Sequence, residues 1–130
     1  MAVRVGIDLV SVETVRASVE THADHYLQRV YTDRELADCR GADGLELHRL
    51  AARFAAKEAA MKVLRVREEA VPWRSIEVRR DDAGWAELAL SGAAAELAAA
   101  AGVRELAVSL THEREWASAV VIAETAPSDR

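Results

Sequence analysis

The densest chemistry in this 130-residue chain is the run Arg53-Phe54-Ala55-Ala56-Lys57-Glu58-Ala59-Ala60-Met61-Lys62, where one carboxylate stands among basic side chains. On a helix Glu58 and Lys62, four residues apart, share a face, so a metal-ligating carboxylate and an ammonium would meet the same polyanion. That pairing suits a phosphate-handling site, although such a pair taken alone is more often a surface ion pair of small energetic weight. From Leu47 to Arg67 six basic residues (Arg49, Arg53, Lys57, Lys62, Arg65 and Arg67) face Glu58 alone, while the whole chain carries a formal charge of −5. A basic helix in an acidic chain either steers a phosphorylated ligand or acidic partner to one place or is a solvated face. The acidic remainder argues against nucleic acid as that partner.

The elements that must position these side chains read as one α+β unit without repeats. Val3, Val5 and Ile7 alternate with Arg4, Gly6 and Asp8, which predicts a strand with Asp8 at or near its C-terminal end. Ser11 is the expected N-cap of a helix carrying Val12, Val15 and Val19 on one side. Thr32-Asp33-Arg34-Glu35 has capping-box spacing and predicts a helix to about Arg40, broken by Gly41-Ala42-Asp43-Gly44. The long helix is expected over about Glu46–Arg65, with Leu50, Phe54, Met61 and Leu64 as its buried stripe and Glu58 at the edge of it.

Ile76–Arg79 and Trp85–Leu90 flank Asp81-Asp82-Ala83-Gly84 as a hairpin, and Ser91 caps an alanine-rich helix that stops at Gly102. Two last strands, Leu106–Leu110 and Trp116–Ala123, are joined through Thr111-His112-Glu113-Arg114. A single domain over residues 1–124 and a loose tail over 125–130 are expected. The size fits one domain that is small for enclosing a large ligand, so a subunit interface would supply a second wall. No long uncharged apolar run or signal-peptide pattern occurs, so neither membrane insertion nor export is expected, and the cytoplasm is the expected compartment. The one cysteine, Cys39, has no partner for an internal disulfide and no neighbouring ligands at zinc spacing.

Three motifs in order, Gly6-Ile7-Asp8-Leu9-Val10, Arg53-Phe54-Ala55-Ala56-Lys57-Glu58-Ala59 with Lys62, and Ser109-Leu110-Thr111-His112, resemble bacterial holo-acyl-carrier-protein synthases. These are the small, trimeric class of 4′-phosphopantetheinyl transferases, and the resemblance runs from about Val3 to Glu124. It implies the phosphopantetheinyl transferase fold, a small antiparallel sheet packed with a long central helix and shorter helices. It also implies an activity. A serine hydroxyl of an apo acyl carrier protein attacks the β-phosphorus of coenzyme A, the 4′-phosphopantetheine arm moves to the serine, and adenosine 3′,5′-bisphosphate leaves.

The resemblance implies Asp8 and Glu58 as ligands of Mg²⁺, an ion content with few carboxylates when phosphate and water complete its shell. Asp8, Glu58 and Lys62 are then the catalytic set, with either Glu58 or a metal-bound water as the base. Arg49, Arg53, Lys62, Arg65 and His112 are the implied coenzyme A contacts, in a homotrimer whose active sites lie between subunits. Phe54 and Met61 are read as core.

The sequence departs from the family pattern in several places. Gly44-Leu45-Glu46-Leu47-His48 stands where a Lys-Arg pair usually grips the 3′-phosphate, Arg65-Val66-Arg67 replaces Gly-Thr-Gly, and Gly84-Trp85-Ala86 replaces Gly-Lys-Pro. Glu113 puts negative charge beside His112, and Thr14 stands where an arginine often docks the carrier. These changes suggest a carrier other than that of fatty-acid synthesis, a polyketide-type carrier for example. The rival expectation is a non-catalytic relative that binds a carrier protein or coenzyme A without transferring the arm.

Overall fold

A computed structural model describes residues 2–127 of the chain. The first strand, β1 (Ala2–Ser11), runs into α1 (Val12–Val30), followed by α2 (Asp33–Asp38) and a two-strand clip, β2 (Arg40–Gly41) and β3 (Gly44–Leu45). Then come the long helix α3 (Leu47–Leu64), a 3₁₀ turn at Trp73–Ser75, the hairpin β4 (Ile76–Arg80) and β5 (Ala86–Leu90), helix α4 (Gly92–Ala100), and strands β6 (Val103–His112) and β7 (Trp116–Thr125). The main sheet is antiparallel in the order β1-β7-β6. The α+β class and the central helix agree with expectation.

Local signals explain most boundaries. The Ser11 hydroxyl accepts from Thr14 N at 3.4 Å and starts α1, which is kinked at Ala23 (φ 45°). Both bonds of the capping box form, Glu35 N to Thr32 Oγ1 at 3.1 Å and Thr32 N to Glu35 Oε1 at 2.9 Å. Asp81 Oδ1 accepts from Ala83 N and Trp85 N, both at 2.9 Å, and turns the β4–β5 hairpin. α3 ends at Arg65, whose φ of 56° is the left-handed geometry that glycine usually supplies.

β1 continues to Ser11, so Asp8 lies near its C-terminal end as expected, still paired, opposite Ala119. Two expectations need correction. His112 is the last residue of β6 rather than a turn residue. β7 ends on buried Thr125, whose hydroxyl donates to Ala2 O at 3.3 Å, one residue into the segment expected to be loose. The rest of that tail from Ser128 lies outside the described residues.

Packing of α3 on the sheet decides where the functional side chains go. Ala51, Ala52, Ala55, Ala56, Ala59 and Ala60 are all buried, so the helix is covered on more than the one stripe expected, and Phe54 and Met61 are only half-buried. Small side chains let the helix backbone come close to β1. A Cβ on Gly6 would stand 2.2 Å from Ala59 O, so this strand position admits only glycine at the observed separation. Among the described residues no helix is long and apolar enough to cross a membrane.

Candidate active site

The close approach at Gly6 sets Asp8, two residues further along the same face of β1, against the last turns of α3. Lys62 Nζ donates to Ile7 O at 2.8 Å and to Asp8 Oδ1 at 3.2 Å, tying the helix to the strand. Glu58, one helical turn earlier, is half-buried on this side. Burial raises its pKa above the usual carboxylate range, the negative charge of Asp8 raises it further, and the Lys62 ammonium offsets part of the rise. The arrangement brings two carboxylates close enough to act on each other, with the Lys62 ammonium on Asp8, a donor set that suits a divalent ion and gives Glu58 enhanced basicity.

The other basic residues of α3 do not form one steering face. Arg49, Arg53 and Lys57, at spacings of four, run along the side that faces inward, and Arg53 and Lys57 are fully buried. Lys57 Nζ meets Glu35 Oε1 at 2.7 Å and donates to the carbonyls of Trp73 and Ile76, while Glu35 Oε2 accepts from Val78 N at 2.8 Å. Lys57 therefore joins α3 to α2 and β4 instead of facing ligand, which overturns both the steering and the solvated-face readings for this residue.

Arg53 Nη1 donates to Arg49 O at 3.3 Å, while its Nε and Nη2 have no protein partner among the described residues. Arg49 Nη1 donates to Asp38 O at 3.2 Å, and Arg65 is exposed at the far end of the helix. The five expected coenzyme A contacts are thus spread over the whole length of α3 and the end of β6.

At the N-terminal end of α3 lies an open cavity of about 590 Å³ lined by α1, the β2–β3 clip, the start of α3 and the β6–β7 turn. His112 faces it and stacks on His48, ring centroids 4.3 Å apart and 36° from parallel. Partial cover of the ring, then the nearby His48 and Arg49, lower the pKa of His112. Sequence reasoning missed His48, Gly6 as the seat of α3, and the Glu35–Lys57 pair. A glycine inside an alternating strand was the available signal for close backbone approach.

Residues 4–121 match the profile described as the 4′-phosphopantetheinyl transferase superfamily. A holo-[acyl-carrier-protein] synthase of Chloroflexus aurantiacus is 43% identical over 130 aligned residues, covering 91% of this chain and 95% of the relative. One from Koribacter versatilis is 38% identical over 126, covering 95% and 99%. Among solved structures, one titled Chronobacterium ammoniagenes ACPS-CoA complex superposes with a TM-score of 0.84 at 28% identity, covering 98% of this chain and all of that one. The acyl carrier protein synthase of Mycobacterium tuberculosis superposes at 0.72 with 38% identity, covering 94% and 96%. With the motifs, the α3-on-β1 arrangement and these likenesses in agreement over almost its whole length, the chain belongs to the 4′-phosphopantetheinyl transferase superfamily.

Proposed function

We propose that this chain transfers the 4′-phosphopantetheine arm of coenzyme A to a serine of an apo acyl carrier protein, releasing adenosine 3′,5′-bisphosphate. It is a transferase of the holo-[acyl-carrier-protein] synthase kind, with coenzyme A as donor. The observation that carries the reading is the meeting of Asp8, Glu58 and Lys62 across the β1–α3 seam.

Phosphoryl transfer asks a protein mainly to position the reactants and to stabilise charge. Glu58, made more basic by burial and by Asp8, takes the proton of the attacking serine. The serine oxygen bonds to the β-phosphorus as the bridging P–O bond breaks, and the electron pair leaves on the bisphosphate. Lys62, anchored on Ile7 O, keeps its ammonium beside the phosphates. Asp8 and Glu58 would hold Mg²⁺, which when bound polarises the pyrophosphate. The donor set fits: the Asp8 charge that disfavours ionisation of Glu58 is what a divalent cation would neutralise. Arg49, Arg65 and His112 complete the donor contacts, whereas the fully buried Arg53, with Nη1 on Arg49 O, belongs to the packing of α3 rather than to the donor's grip.

The working unit in this reading is a homotrimer with active sites between subunits. Val3, Val5, Ile7 and Leu9 are 59–65% exposed on the β1 face turned away from α3, and Ile122 and Trp116 extend that apolar face across β7. Such a contiguous patch favours burial against another subunit. The buried lone thiol of Cys39 suits the reducing cytoplasm, where we place the reaction. On the carrier side, Thr14 stands where a docking arginine is usual and Arg16 is engaged by Glu13 at 3.3 Å, so the docking surface is altered, and a polyketide-type carrier is the partner we read from that change. A fatty-acid carrier modified as fast as any polyketide carrier would remove that refinement.

The reaction is tested by following bisphosphate release from coenzyme A with and without apo carrier. Release that requires both carrier and Mg²⁺ is expected. Coenzyme A bound tightly without Mg²⁺ and never cleaved would mark a non-catalytic binder.

A further inference from the structure

An α-helix leaves its last four carbonyls without partners inside the helix. At the end of α3, Val66 N donates to Met61 O at 3.0 Å and Arg65 N to Lys62 O at 3.1 Å as the chain turns through left-handed Arg65. Val63 O is served from the sheet instead: Arg4 Nη1 of β1 donates to it at 3.2 Å. A guanidinium also suits the negative end of the helix dipole. Among the described residues, the other carbonyl of α3 that takes a side chain from outside the helix is Leu50 O, bonded by Tyr31 Oη at 3.0 Å near the opposite end.

β1 is the outer strand of the order β1-β7-β6, so its ladder bonds fix it to β7 and do nothing to fix α3. The close contact of Gly6 with Ala59 is one pivot, on which the helix could still swing. Two ties flank the pivot. On one side Lys62 Nζ holds Ile7 O and Asp8 Oδ1, and on the other Arg4 holds Val63 O. The two differ in permanence. Lys62 is 54% exposed and its ammonium is the group that turns to the donor's phosphates, so its bond to Asp8 gives way when ligand arrives. Arg4 is half-buried, its partner Val63 is buried, and it lies four residues from Asp8, about 13 Å along the strand.

We propose that Arg4 is a positioning residue for arm transfer: it keeps the last turn of α3 seated on β1 while Lys62 passes from Asp8 to the donor's phosphates, so that Glu58 stays in place to take the serine proton. This rests on the transferase reading. Arg4 acts through the helix backbone and touches neither donor nor carrier, so its loss shows in turnover rather than in the binding of coenzyme A.

The test compares the wild-type, Arg4→Met and Arg4→Lys proteins in steady-state transfer to one apo acyl carrier protein, each rate referred to the folded fraction from unfolding curves. Arg4 lines an open cavity of about 770 Å³, so methionine keeps the stem and removes the donor without opening a closed void. The expected result for Arg4→Met is a kcat lower by about tenfold, with the KM for coenzyme A changed by less than about twofold. Arg4→Lys, which keeps a cationic donor, should recover most of kcat. Amide hydrogen exchange at Arg65 and Val66 should quicken about tenfold in Arg4→Met while amides in the middle of α3 keep their wild-type protection. In the wild-type protein the same two amides should stay protected when coenzyme A and Mg²⁺ bind without carrier. Loss of that protection on binding would overturn the inference whether or not the variant folds. A folded Arg4→Met protein with wild-type kcat overturns it too, as does a raised KM with kcat intact, which would make Arg4 a donor contact. All three outcomes leave the transferase reading standing, whereas a wild-type protein that transfers nothing to any carrier sinks that reading and this inference with it.

Discussion

Glu58 illustrates how much of the chemistry one side chain owes to two neighbours. Its raised pKa comes from burial first, then from Asp8, against the Lys62 ammonium. In the metal-free protein Asp8→Asn should therefore bring the Glu58 titration back toward ordinary carboxylate values, read by NMR of the side-chain carboxyl; an unmoved titration would mean that Asp8 does not act on it. Lys57, its sequence neighbour, has the opposite task. Lys57→Met leaves the Glu35 carboxylate buried without its cation and should cost about 3–5 kcal/mol in denaturant unfolding. Helical spacing alone paired Glu58 with Lys62, and strand alternation alone put Asp8 near a strand end; only the family motifs joined the three into one set. The burial of Lys57 was not legible, because periodicity places a charge on a face but does not say that a carboxylate from another helix waits there.

Among the elements, the contact of α3 with β1 governs the site. Gly6→Ala would drive a methyl group into Ala59 O, and the helix must lift from the strand. Overpacking of this kind costs about 1–3 kcal/mol. Displacing Glu58 and Lys62 from Asp8 by an ångström should lower kcat/KM roughly a hundredfold. Unfolding curves and steady-state assays on the same preparation separate the two effects, and a Gly6→Ala protein of full activity would contradict the positioning role. Helix boundaries were legible where a cap announces them, as at Ser11 and Thr32. The β2–β3 clip was not, since strands of two residues carry no period. Nor was the full reach of β1: its pairing with β7 continues through Ser11 and Trp116, a long-range register that the local pattern does not contain. Arg65 takes a left-handed helix end where glycine is the usual choice, a strain acceptable on a residue proposed to serve the donor phosphates.

At the scale of the molecule, the sheet has one face filled by α3 and another that stays apolar and open. Alternation of Val3, Val5 and Ile7 with Arg4, Gly6 and Asp8 forecast the strand, and the structure leaves its apolar row exposed because the helix packs on the row that holds Gly6. Ile7→Glu puts a charge in the middle of the open face and should convert the proposed trimer to monomers by light scattering, with activity falling at least tenfold, since each site would then lose the second wall proposed for it. A monomeric wild-type protein of full activity would contradict the shared-site reading. The central claim is arm transfer, and intact-protein mass spectrometry of apo acyl carrier proteins incubated with coenzyme A, Mg²⁺ and this protein tests it most directly. The account predicts one phosphopantetheine added to the carrier by the wild-type protein and none by Glu58→Ala. Carriers left unmodified by a folded wild-type protein that binds coenzyme A would contradict it.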